Sequence, residues 1–503
     1  MSSDSSSRGT PAARLHAVRV TFGDVEALRD VDLAIYAGEI TVLAGPNGSG
    51  KSTALRLLSG LLDPEAGQVE ILGVRLDQHR ESRDSIRPRL TYLSQRPALD
   101  PELKGREILN LLATLYGLDG STRRRRLAHS IEAHGLGDFV DRRTAGYSGG
   151  QKRRLHLAGS MLHSPDLILL DEPEAGLDRQ GRKRLWRELR RRALAGAAVV
   201  IVSHDHGAAA DHADRVIELE DGRVREEHRQ TLATDHEDGA GEARLHLLKT
   251  RGLASALRIG QRAWIKTLRR PVTLTFSLAQ PLIWMGFFGF LFERYQLVEL
   301  EPLSYLDFLA PGVCAMTVLF GASQAGATWI RDLHTGFLQR LLQTPASPHA
   351  LLAGKIGADV LRLLLQAAAV LVLALLLGAR LETSWLSVLA SFPALLFFAV
   401  AFSSLSCAIA LKARAQEAMA TFIHLVNMPM LFTSTALVPA RQMPPWLEGI
   451  AALNPLTLAV DAWRGALLHD QLPRPGSLAI LAVLALVLYW VAARLMASIR
   501  GLS

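Results

Sequence analysis

Six long stretches without a charged residue constrain the fold of this chain more than any other feature. All of them lie in its second half. They run over Pro271–Phe292, Phe308–Ile330, Leu363–Ala379, Thr383–Leu411, Ala418–Ala440 and Pro475–Ala493. Each approaches or exceeds the ~20 apolar residues that an α-helix needs to cross ~30 Å of hydrocarbon. A large soluble core with buried helices is the alternative, but six such stretches favour a membrane domain. We therefore predict spans at about 271–292, 308–330, 356–379, 387–411, 418–438 and 477–497.

The segment before the first span reads as an amphipathic helix over 253–270. Arg258, Arg262 and Lys266 fall four residues apart on one face, and Leu257, Trp264 and Leu268 lie on another. A helix of this kind lies at a membrane surface.

Loop charges predict the orientation of the spans. Basic residues follow the second, fourth and sixth spans, whereas the loop after the first span is acidic, with Glu293, Glu299, Glu301 and Asp307. Because positive loops stay on the cytoplasmic side, both termini and the first half of the chain are expected there. The chain is thus expected to be a multi-pass protein of the cytoplasmic (inner or plasma) membrane.

The net charge of +8 is unevenly distributed. From Leu253 to the end there are eighteen Lys and Arg against eleven Asp and Glu, so the first half is nearly neutral. This argues against a nucleic-acid partner and for contact between the second half and anionic membrane lipid. The only two cysteines, Cys314 and Cys407, exclude a disulfide framework.

The first half has the composition of a soluble α/β domain. Apolar runs at Ile40–Leu43, Leu167–Leu170 and Val199–Val202 alternate with charged, helix-like stretches, which predicts a mostly parallel sheet. The expected organisation is a disordered tail over 1–13, the α/β domain over 14–228, a linker over 229–252 and a transmembrane domain over 253–503.

Residues 45–52 form a phosphate-binding loop of the pattern G-x-x-x-x-G-K-[ST]. The loop follows the apolar strand Ile40–Ala44 and precedes a helix-like segment, Thr53–Leu62, which is the structural setting that the pattern requires. Its glycines allow backbone N–H groups to surround phosphates, Lys51 supplies a positive charge, and Ser52 is placed to bind Mg²⁺.

Two further motifs carry acidic and anion-binding groups. The strand Leu167–Leu170 ends at Asp171 and Glu172, which places both carboxylates at the ligand-binding edge of a parallel sheet. Asp171 suits a Mg²⁺ partner, and Glu172 suits a base that polarises an attacking water. Ser148-Gly149-Gly150-Gln151 opens a helix and forms a second anion-binding N-terminus. One nucleotide needs only one phosphate-binding loop. This second anion-binding motif therefore suggests contact with a nucleotide that is held by another copy of the domain.

Together these residues resemble the ATPases of ATP-binding-cassette (ABC) transporters, over nearly all of residues 14–228. The resemblance extends to Gln95 in the glutamine loop, to the interface loop Ala175–Asp178 and to the switch histidine His204. Tyr147 stands where leucine is commoner, and Phe22 stands where the family usually has a tyrosine that stacks on adenine.

The resemblance implies an α/β P-loop ATPase domain with a helical subdomain, ATP and Mg²⁺ as ligands, and a set of site residues. Nucleotide contacts are implied for Phe22, Gly45, Pro46, Asn47, Gly48, Ser49, Gly50, Lys51, Ser52, Thr53, Ser148, Gly149, Gly150, Gln151 and Asp178. Catalytic roles are implied for Glu172, His204, Lys51 and Gln95, and Mg²⁺ binding for Ser52, Gln95 and Asp171.

The second half looks like the all-α, six-helix permeases of ABC exporters for drugs, polysaccharides and lipids. Leu333, Phe337 and Leu341 recur four residues apart and resemble the coupling helix that docks on the cassette. A second stretch that resembles these permeases runs from Asn454 to Arg464. Within it, Asp461 and Arg464 are three residues apart and are expected to form a surface pair.

One cassette and six spans make half a transporter, so a homodimer with two ATP sites at the cassette interface is expected. The implied function is ATP-driven export of a hydrophobic small molecule or lipid. The alternative is a membrane ATPase that transmits force or a signal, which the shortness of the longest predicted outer segment, about Arg441–Arg474, disfavours. Lys355, Asp359, Arg362 and His424 are the ionisable residues in or near the spans, and such groups are candidates for function. The more common explanation is that such side chains reach the membrane surface or form ion pairs, as Asp359 and Arg362 are spaced to do.

Overall fold

The computed structural model describes residues 10–76, 80–203, 209–229, 252–295, 304–380 and 383–502. These residues form two compact units. The first unit contains the described residues up to Ser255 and the much later segment Thr335–Ser347. The second unit contains Ala256–His334 and Pro348–Ile499. The domain bounds given above stay a prediction, and they did not anticipate that Thr335–Ser347 belongs with the first unit.

The first unit is built around a six-stranded sheet with the strand order β10–β9–β3–β8–β7–β6. The strands are β3 (Ile40–Ala44), β6 (Leu90–Leu93), β7 (Leu167–Asp171), β8 (Ala198–Val202), β9 (Arg215–Glu220) and β10 (Arg223–Arg229). Neighbours pair in parallel except for β9 and β10. Strands β3, β7 and β8 are buried along their whole length, as apolar runs within a parallel sheet should be. The prediction of a mostly parallel sheet is confirmed.

A second, antiparallel sheet, which the sequence analysis did not predict, has the order β2–β1–β4–β5. Its strands are β1 (Ala13–Phe22), β2 (Val25–Ile35), β4 (Ala66–Ile71) and β5 (Val74–Leu76). Leu15 and Val20 on β1 share a buried core with Leu55 and Leu58. This sheet therefore packs against the helix that follows the phosphate loop.

In the described residues of the first unit, six α-helices of seven or more residues precede the membrane half. They are α1 (Lys51–Leu58), α2 (Arg80–Ile86), α3 (Gly105–Leu115), α4 (Gly120–Ala133), α5 (Gly149–Ser160) and α6 (Arg179–Leu194). Helix α1 starts two residues before the predicted Thr53 and stops at Leu58, because Gly60 then takes a left-handed conformation with φ of 68°. Helices α3, α4 and α5 pack on one another and form a helical subdomain.

The second unit is helical in the part that the structure describes. Its helices are α7 (Gly252–Leu268), α8 (Pro271–Tyr295), α9 (Tyr305–Ser323), α10 (Ala325–His334), α12 (Pro348–Leu376), α13 (Trp385–Ala413), α14 (Gln416–Phe422), α15 (Met428–Phe432), α16 (Pro445–Leu453), α17 (Pro455–His469) and α18 (Pro475–Leu502), whereas α11 (Phe337–Gln343) belongs to the first unit.

Among the described residues, four helical stretches are long and apolar enough to cross a membrane. They are Tyr305–His334, Pro348–Leu376, Trp385–Ala413 and Pro475–Ile499. They contain the second, fourth and sixth predicted spans, and the third except for its last three residues, because that helix ends at Leu376. The first predicted span folds as α8, of which Ala279–Leu291 forms a shorter apolar stretch. The fifth is interrupted, since a π-helical turn at Ile423–Asn427 separates α14 from α15. The count of six spans stays a prediction.

Small polar side chains join the helices of the second unit. The backbone N–H of Gly326 donates to Ser406 Oγ at 2.9 Å, and Ser406 Oγ donates in turn to the Ser323 carbonyl at 2.7 Å. The Asn427 amide donates to Ser323 Oγ at 2.6 Å. Interhelical hydrogen bonds between small residues are typical of helices that pack in a membrane.

The expectation of a surface pair between Asp461 and Arg464 is wrong in one respect. The pair forms at 3.5 Å, but Arg464 is buried. Its guanidinium donates to the carbonyls of Phe308 and Thr435 and lies 3.7 Å from the centre of the Phe308 ring. The spacing of two charges could not show that the helix turns Arg464 inwards.

Candidate functional site

Three strand ends of the six-stranded sheet bring the predicted ATP-site residues together. The phosphate loop follows β3, Gln95 follows β6, and Asp171 ends β7. Strands β6 and β7 are direct neighbours, and only β8 separates β7 from β3. Because these strands are parallel, their carboxyl ends meet at one edge of the sheet, where such folds bind ligands.

The backbone of the phosphate loop requires glycine at two positions. Gly45 has φ of 130°, and a Cβ there would lie 2.0 Å from the Leu219 carbonyl oxygen. Gly50 has φ of 100°, and a Cβ there would lie 2.6 Å from the Ala27 carbonyl oxygen. Only glycine combines these angles with such close approaches. The predicted strand, loop and helix order is therefore present.

Lys51 is held at the loop by main-chain oxygens. Its ammonium donates to the carbonyls of Gly45 at 2.8 Å and Pro46 at 2.6 Å, and to Ser49 Oγ at 3.3 Å. Burial lowers the pKa of Lys51, and this effect is opposed by the nearby carboxylates of Asp171 and Glu172. The side chain is a positive charge positioned beside two acids.

Asp171 is the buried acid at the end of β7. Burial raises the pKa of its carboxyl group, and a hydrogen bond from Ser52 acts in the opposite direction. A carboxylate and a hydroxyl in contact are oxygen ligands of the kind that Mg²⁺ prefers. Asp171 and Ser52, two of the three predicted metal-binding residues, therefore fit the ion that the family resemblance implies.

Gln95 and Glu172 are also in contact. The Gln95 amide donates from Nε2 to Glu172 Oε2 at 2.8 Å. Glu172 has φ of 49°, a left-handed conformation that is strained for a residue with a side chain. Its backbone N–H is fixed on the Val202 carbonyl at 2.9 Å. The predicted base therefore has a strained backbone, and its hydrogen bond to the end of β8 holds it in place.

Arg153 is a residue of this site to which the sequence analysis gave no role. Its guanidinium is 1% exposed and donates to five carbonyls on two segments of the chain. The acceptors are Ser94, Gln95, Asp171, Glu172 and Pro173. Burial lowers its pKa to about 10 despite the nearby acids, so it stays charged at neutral pH.

The residue pattern of helix α5 could have indicated that Arg153 is buried. It lies four residues before Leu157, on a face of α5 that the fold buries. The same face continues at Met161, which is also buried. A charged residue in an apolar stripe is therefore the feature that could have identified it.

The motif Ser148–Gln151 begins helix α5 as predicted. Gln151 N–H donates to Ser148 Oγ at 3.3 Å, and Ser148 N–H donates to Gln151 Oε1 at 3.1 Å, which is a reciprocal cap. Ser148 and Gly149 are exposed. A Cβ on Gly150 would lie 2.7 Å from the Gly176 carbonyl oxygen, so this motif packs against the interface loop.

The remaining predicted site residues are placed as follows. Phe22 ends β1 with 48% of its surface exposed, so its ring is accessible for stacking. Asp178 caps helix α6, since the Gly181 N–H donates to its carboxylate at 2.7 Å. Pro46, Asn47 and Gly48 are exposed in the loop, and Thr53 lies in the first turn of α1. His204 lies outside the described residues.

Helix α11 packs within the first unit through an arginine. Arg340 is buried, and its guanidinium donates to the carbonyls of Ala98 and His156 at 3.2 Å each. Phe337 and Leu341 are also fully buried. The expected single stripe with Leu333 is wrong, because Gly336, with φ of 72°, ends one helix and starts another. The sequence identified the docking segment but not the arginine.

A cavity of about 530 Å³ lies inside the second unit. Its walls include Trp284, Met316, Phe320 and His424. His424 belongs to the π-helical turn, a distortion that is frequent at functional sites. The ionisable residue that the sequence places in mid-span is exposed and lines this half-open cavity.

Comparison with known proteins assigns both parts of the chain. A model of the ABC transporter family matches residues 28–175, and a model of the ABC-2 type transporter family matches residues 256–468. The aliphatic sulfonates import ATP-binding protein SsuB of Pseudomonas putida is 41% identical over 224 residues, which cover 43% of this chain and 76% of that protein. The chain belongs to the ABC transporter family. This ABC transporter carries its cassette N-terminal to its membrane domain, as the sequence predicted.

Other relatives of this ABC transporter bear names connected with drugs. The daunorubicin resistance ATP-binding protein DrrA3 of Streptomyces coeruleorubidus is 38% identical over 40% of this chain and 63% of that protein. The probable multidrug ABC transporter ATP-binding protein YbhF of Escherichia coli is 35% identical over 39% of this chain and 33% of that protein. This ABC transporter therefore aligns with less than two thirds of the length of either. Its cassette is homologous to the ATP-hydrolysing domains of the family, which confirms the prediction of an ATPase.

Proposed function

We propose that the chain is half of an ATP-driven exporter that moves a hydrophobic small molecule or lipid out across the cytoplasmic membrane. The observation that carries the proposal is the meeting of Lys51, Gln95, Asp171 and Glu172 at one edge of the sheet. A helix from the membrane half, α11, packs in the same unit as this site. This helix is the segment through which we propose that hydrolysis acts on the permease.

Glu172 is the proposed base that accepts a proton from the attacking water. Gln95 holds one carboxylate oxygen of Glu172 in place, and Arg153 fixes the backbone on both sides of that contact. Lys51 supplies positive charge to the outer phosphates of the nucleotide. The proposed role of His204 is to contact the γ-phosphate.

Ser52, Asp171 and Gln95 are the residues that would hold Mg²⁺. The ion would neutralise phosphate charge and orient the terminal phosphate for in-line attack. Asp171 contributes a buried carboxylate and Ser52 a hydroxyl, while the Gln95 carbonyl oxygen remains as a ligand when its amide nitrogen donates to Glu172.

The working unit is proposed to be a homodimer. Ser148–Gln151 presents an exposed helix N-terminus, which is suited to the phosphates of a nucleotide on another copy. A C₂ pair of identical chains supplies two complete sites at once. Two ATP molecules would then lie between the cassettes and draw them together.

Cargo and direction are proposed from the membrane half. The cavity beside Trp284, Phe320 and His424 is largely apolar and fits a hydrophobic molecule. Relatives named for daunorubicin resistance and multidrug transport support export, whereas the sulfonate relative is named for import. The loop charges support a cytoplasmic position for the cassettes and both termini.

The test uses the full chain in sealed proteoliposomes with the cassettes facing outwards. Export then appears as ATP-dependent accumulation of fluorescent daunorubicin, or of a fluorescent phospholipid, inside the vesicles. Wild-type protein should accumulate one of these probes, and the Glu172→Gln variant should accumulate neither while it still binds ATP. ATP-driven loss of probe from preloaded vesicles would indicate import instead.

The force-transmitting alternative predicts a different result. ATPase activity would be present and would not respond to either probe, and no probe would cross the membrane. ATP would nevertheless change the accessibility of a cysteine introduced at an outer position such as Trp446. That combination would replace the exporter proposal.

A further inference from the structure

A basic cavity of about 260 Å³ lies in the second unit among helices α7, α10 and α12. Six of the described residues that line it carry positive charge, and two, Asp332 and Asp359, carry negative charge. The positive residues are Arg262, Lys266, Arg270, Arg331, Lys355 and Arg362. The positive-inside pattern explains cations that are spread along a membrane surface, but it does not explain why so many line one cavity.

The first carboxylate of the cavity is shared by two cations on α7. Arg262 donates to both oxygens of Asp332 at 2.8 Å, and Lys266 donates to one of them at 3.2 Å. The side chains of Arg262 and Asp332 are each 5% exposed. One negative charge is thus matched against two positive charges in a buried setting.

The second carboxylate repeats this arrangement within α12. Lys355 donates to Asp359 one turn later, and the Arg362 guanidinium lies 4.0 Å from the same carboxylate. Arg362 also donates to Gln366 at 3.1 Å and to the Gly321 carbonyl at 3.3 Å. Four cations of low exposure therefore share two carboxylates in the described part of the cavity.

An excess of positive charge away from water is costly unless a negative charge lies nearby. Arg331 adds a further positive charge on the same cavity wall. A negatively charged group within the cavity would offset this cost and would meet guanidinium and ammonium donors from three helices. The charge distribution of the cavity therefore favours binding of an anionic group.

The basic cavity adjoins the apolar one. Gln324 and Gln366 line both, and the larger cavity continues from them to Trp284 and Phe320. A molecule that occupied both would have a small anionic head and an apolar body. The basic cavity is too small for a whole lipid but large enough for a phosphate or carboxylate group.

We propose that this basic cavity binds the anionic head group of an amphipathic cargo whose apolar part occupies the adjoining cavity. The inference rests on the proposed function, because it names the chemical class of the cargo. Arg262, Lys266, Lys355 and Arg362 hold the head, and the two carboxylates keep these cations in position.

The test measures equilibrium binding of dodecyl phosphate to the full chain in nanodiscs of neutral phosphatidylcholine. Dodecyl maltoside, dodecyltrimethylammonium and inorganic phosphate are the competitors. Dodecyl phosphate should bind at least about tenfold more tightly than the other two amphiphiles, since it alone offers charge-assisted hydrogen bonds to the cavity. It should also bind more tightly than inorganic phosphate, which has no apolar part.

Arg362→Gln should weaken dodecyl phosphate binding about tenfold, and Arg362→Lys, which keeps the charge, should retain most of it. Arg258→Gln is the matched control, because Arg258 lies on α7 outside the cavity and bonds to Gln261. Thermal unfolding of each variant separates a lost site from a lost fold.

Equal binding of the three dodecyl amphiphiles would overturn the proposal, and so would binding of inorganic phosphate as tight as that of dodecyl phosphate. Loss of binding in Arg258→Gln to the same extent as in Arg362→Gln would also contradict it. The exporter proposal is tested independently of the anion site. Selective, Arg362-dependent binding of dodecyl phosphate without ATP-dependent transport would support the anion site and contradict the exporter proposal. ATP-dependent transport without selective binding of dodecyl phosphate would support export and contradict the anion site.

Discussion

Gln95 and Glu172 are joined by a hydrogen bond of 2.8 Å between the side-chain amide and the carboxylate. The two residues follow neighbouring parallel strands, in which Leu93 pairs with Leu170. The contact therefore connects the glutamine loop to the proposed base without an intervening side chain. A shift of the Gln95 loop by even one ångström would lengthen this bond beyond the usual range and release Glu172.

Glu172→Gln should abolish turnover and keep the structure. Glutamine has the same shape and can still accept a hydrogen bond from Gln95, but it cannot take a proton from water. We expect kcat to fall by about 10²–10⁴ while ATP affinity changes little. Steady-state ATPase assays and nucleotide binding on the same preparation measure both. Near-normal turnover would remove Glu172 from the catalytic role.

Arg153→Met should destabilise the cassette. Methionine fills much of the space but leaves five carbonyl acceptors without this donor, several of them buried. A loss of at least about 3 kcal/mol in unfolding free energy is expected, since each unsatisfied buried group costs about 1–3 kcal/mol. Denaturant unfolding of the full chain measures the loss. The neighbouring Lys152→Met is the control, and equal effects of the two would contradict the role given to Arg153.

Arg340→Ala should uncouple ATP hydrolysis from transport. The substitution removes the bonds from α11 to the carbonyls of Ala98 and His156, and it leaves the phosphate loop untouched. Charge-assisted hydrogen bonds of this kind contribute about 1.5–3 kcal/mol each, so transport per ATP should fall about tenfold or more. Parallel transport and ATPase measurements give the ratio. Gln343→Ala at the end of the same helix should leave the ratio unchanged, and an unaltered ratio in Arg340→Ala would exclude an anchoring role.

The cassette should lose stability in mild acid because of buried histidines. His163 stacks on Tyr116 at 3.6 Å, and burial lowers its pKa to about 3. The unfolded chain takes up this proton near pH 6.5, so lowering the pH from that value favours unfolding. One such group costs about 1.4 kcal/mol at about pH 5.5. Burial shifts the pKa values of His134 and His156 in the same direction.

Unfolding measured at about pH 7.5 and about pH 5.5 checks this effect. His163→Gln is expected to unfold more easily at the higher pH, yet to lose about 1.4 kcal/mol less on acidification than the wild type. His228→Gln is the control, because His228 is exposed and paired with Glu226. An acid loss in His163→Gln that equals the wild-type loss would show that His163 does not titrate as described.

The contiguous motifs could be predicted from sequence because local chain geometry sets their roles. A glycine loop between a strand and a helix has few conformations available, and Gly45 and Gly50 adopt the angles that the pattern requires. Likewise, Ser148 caps α5 through the residue three positions later. These features need no knowledge of distant parts of the chain.

The buried arginines could not be assigned in this way. Arg153 acquires its role from carbonyls 18 to 59 residues away, and Arg340 from carbonyls 184 and 242 residues away. A charged side chain next to other charged side chains is usually solvated, and only tertiary packing turns these inwards. Arg464 was misjudged for the same reason.

The assignment of Thr335–Ser347 to the first unit has a consequence for how the polypeptide is joined. The chain passes between the units at residues 255 and 256, at 334 and 335, at 347 and 348, and at 499 and 500. The passage before α7 is therefore one covalent connection among several. A protein cleaved between residues 229 and 252 would still have α11 seated by Arg340 in the cassette. Fusion into one polypeptide fixes the stoichiometry of ATPase and permease at one to one.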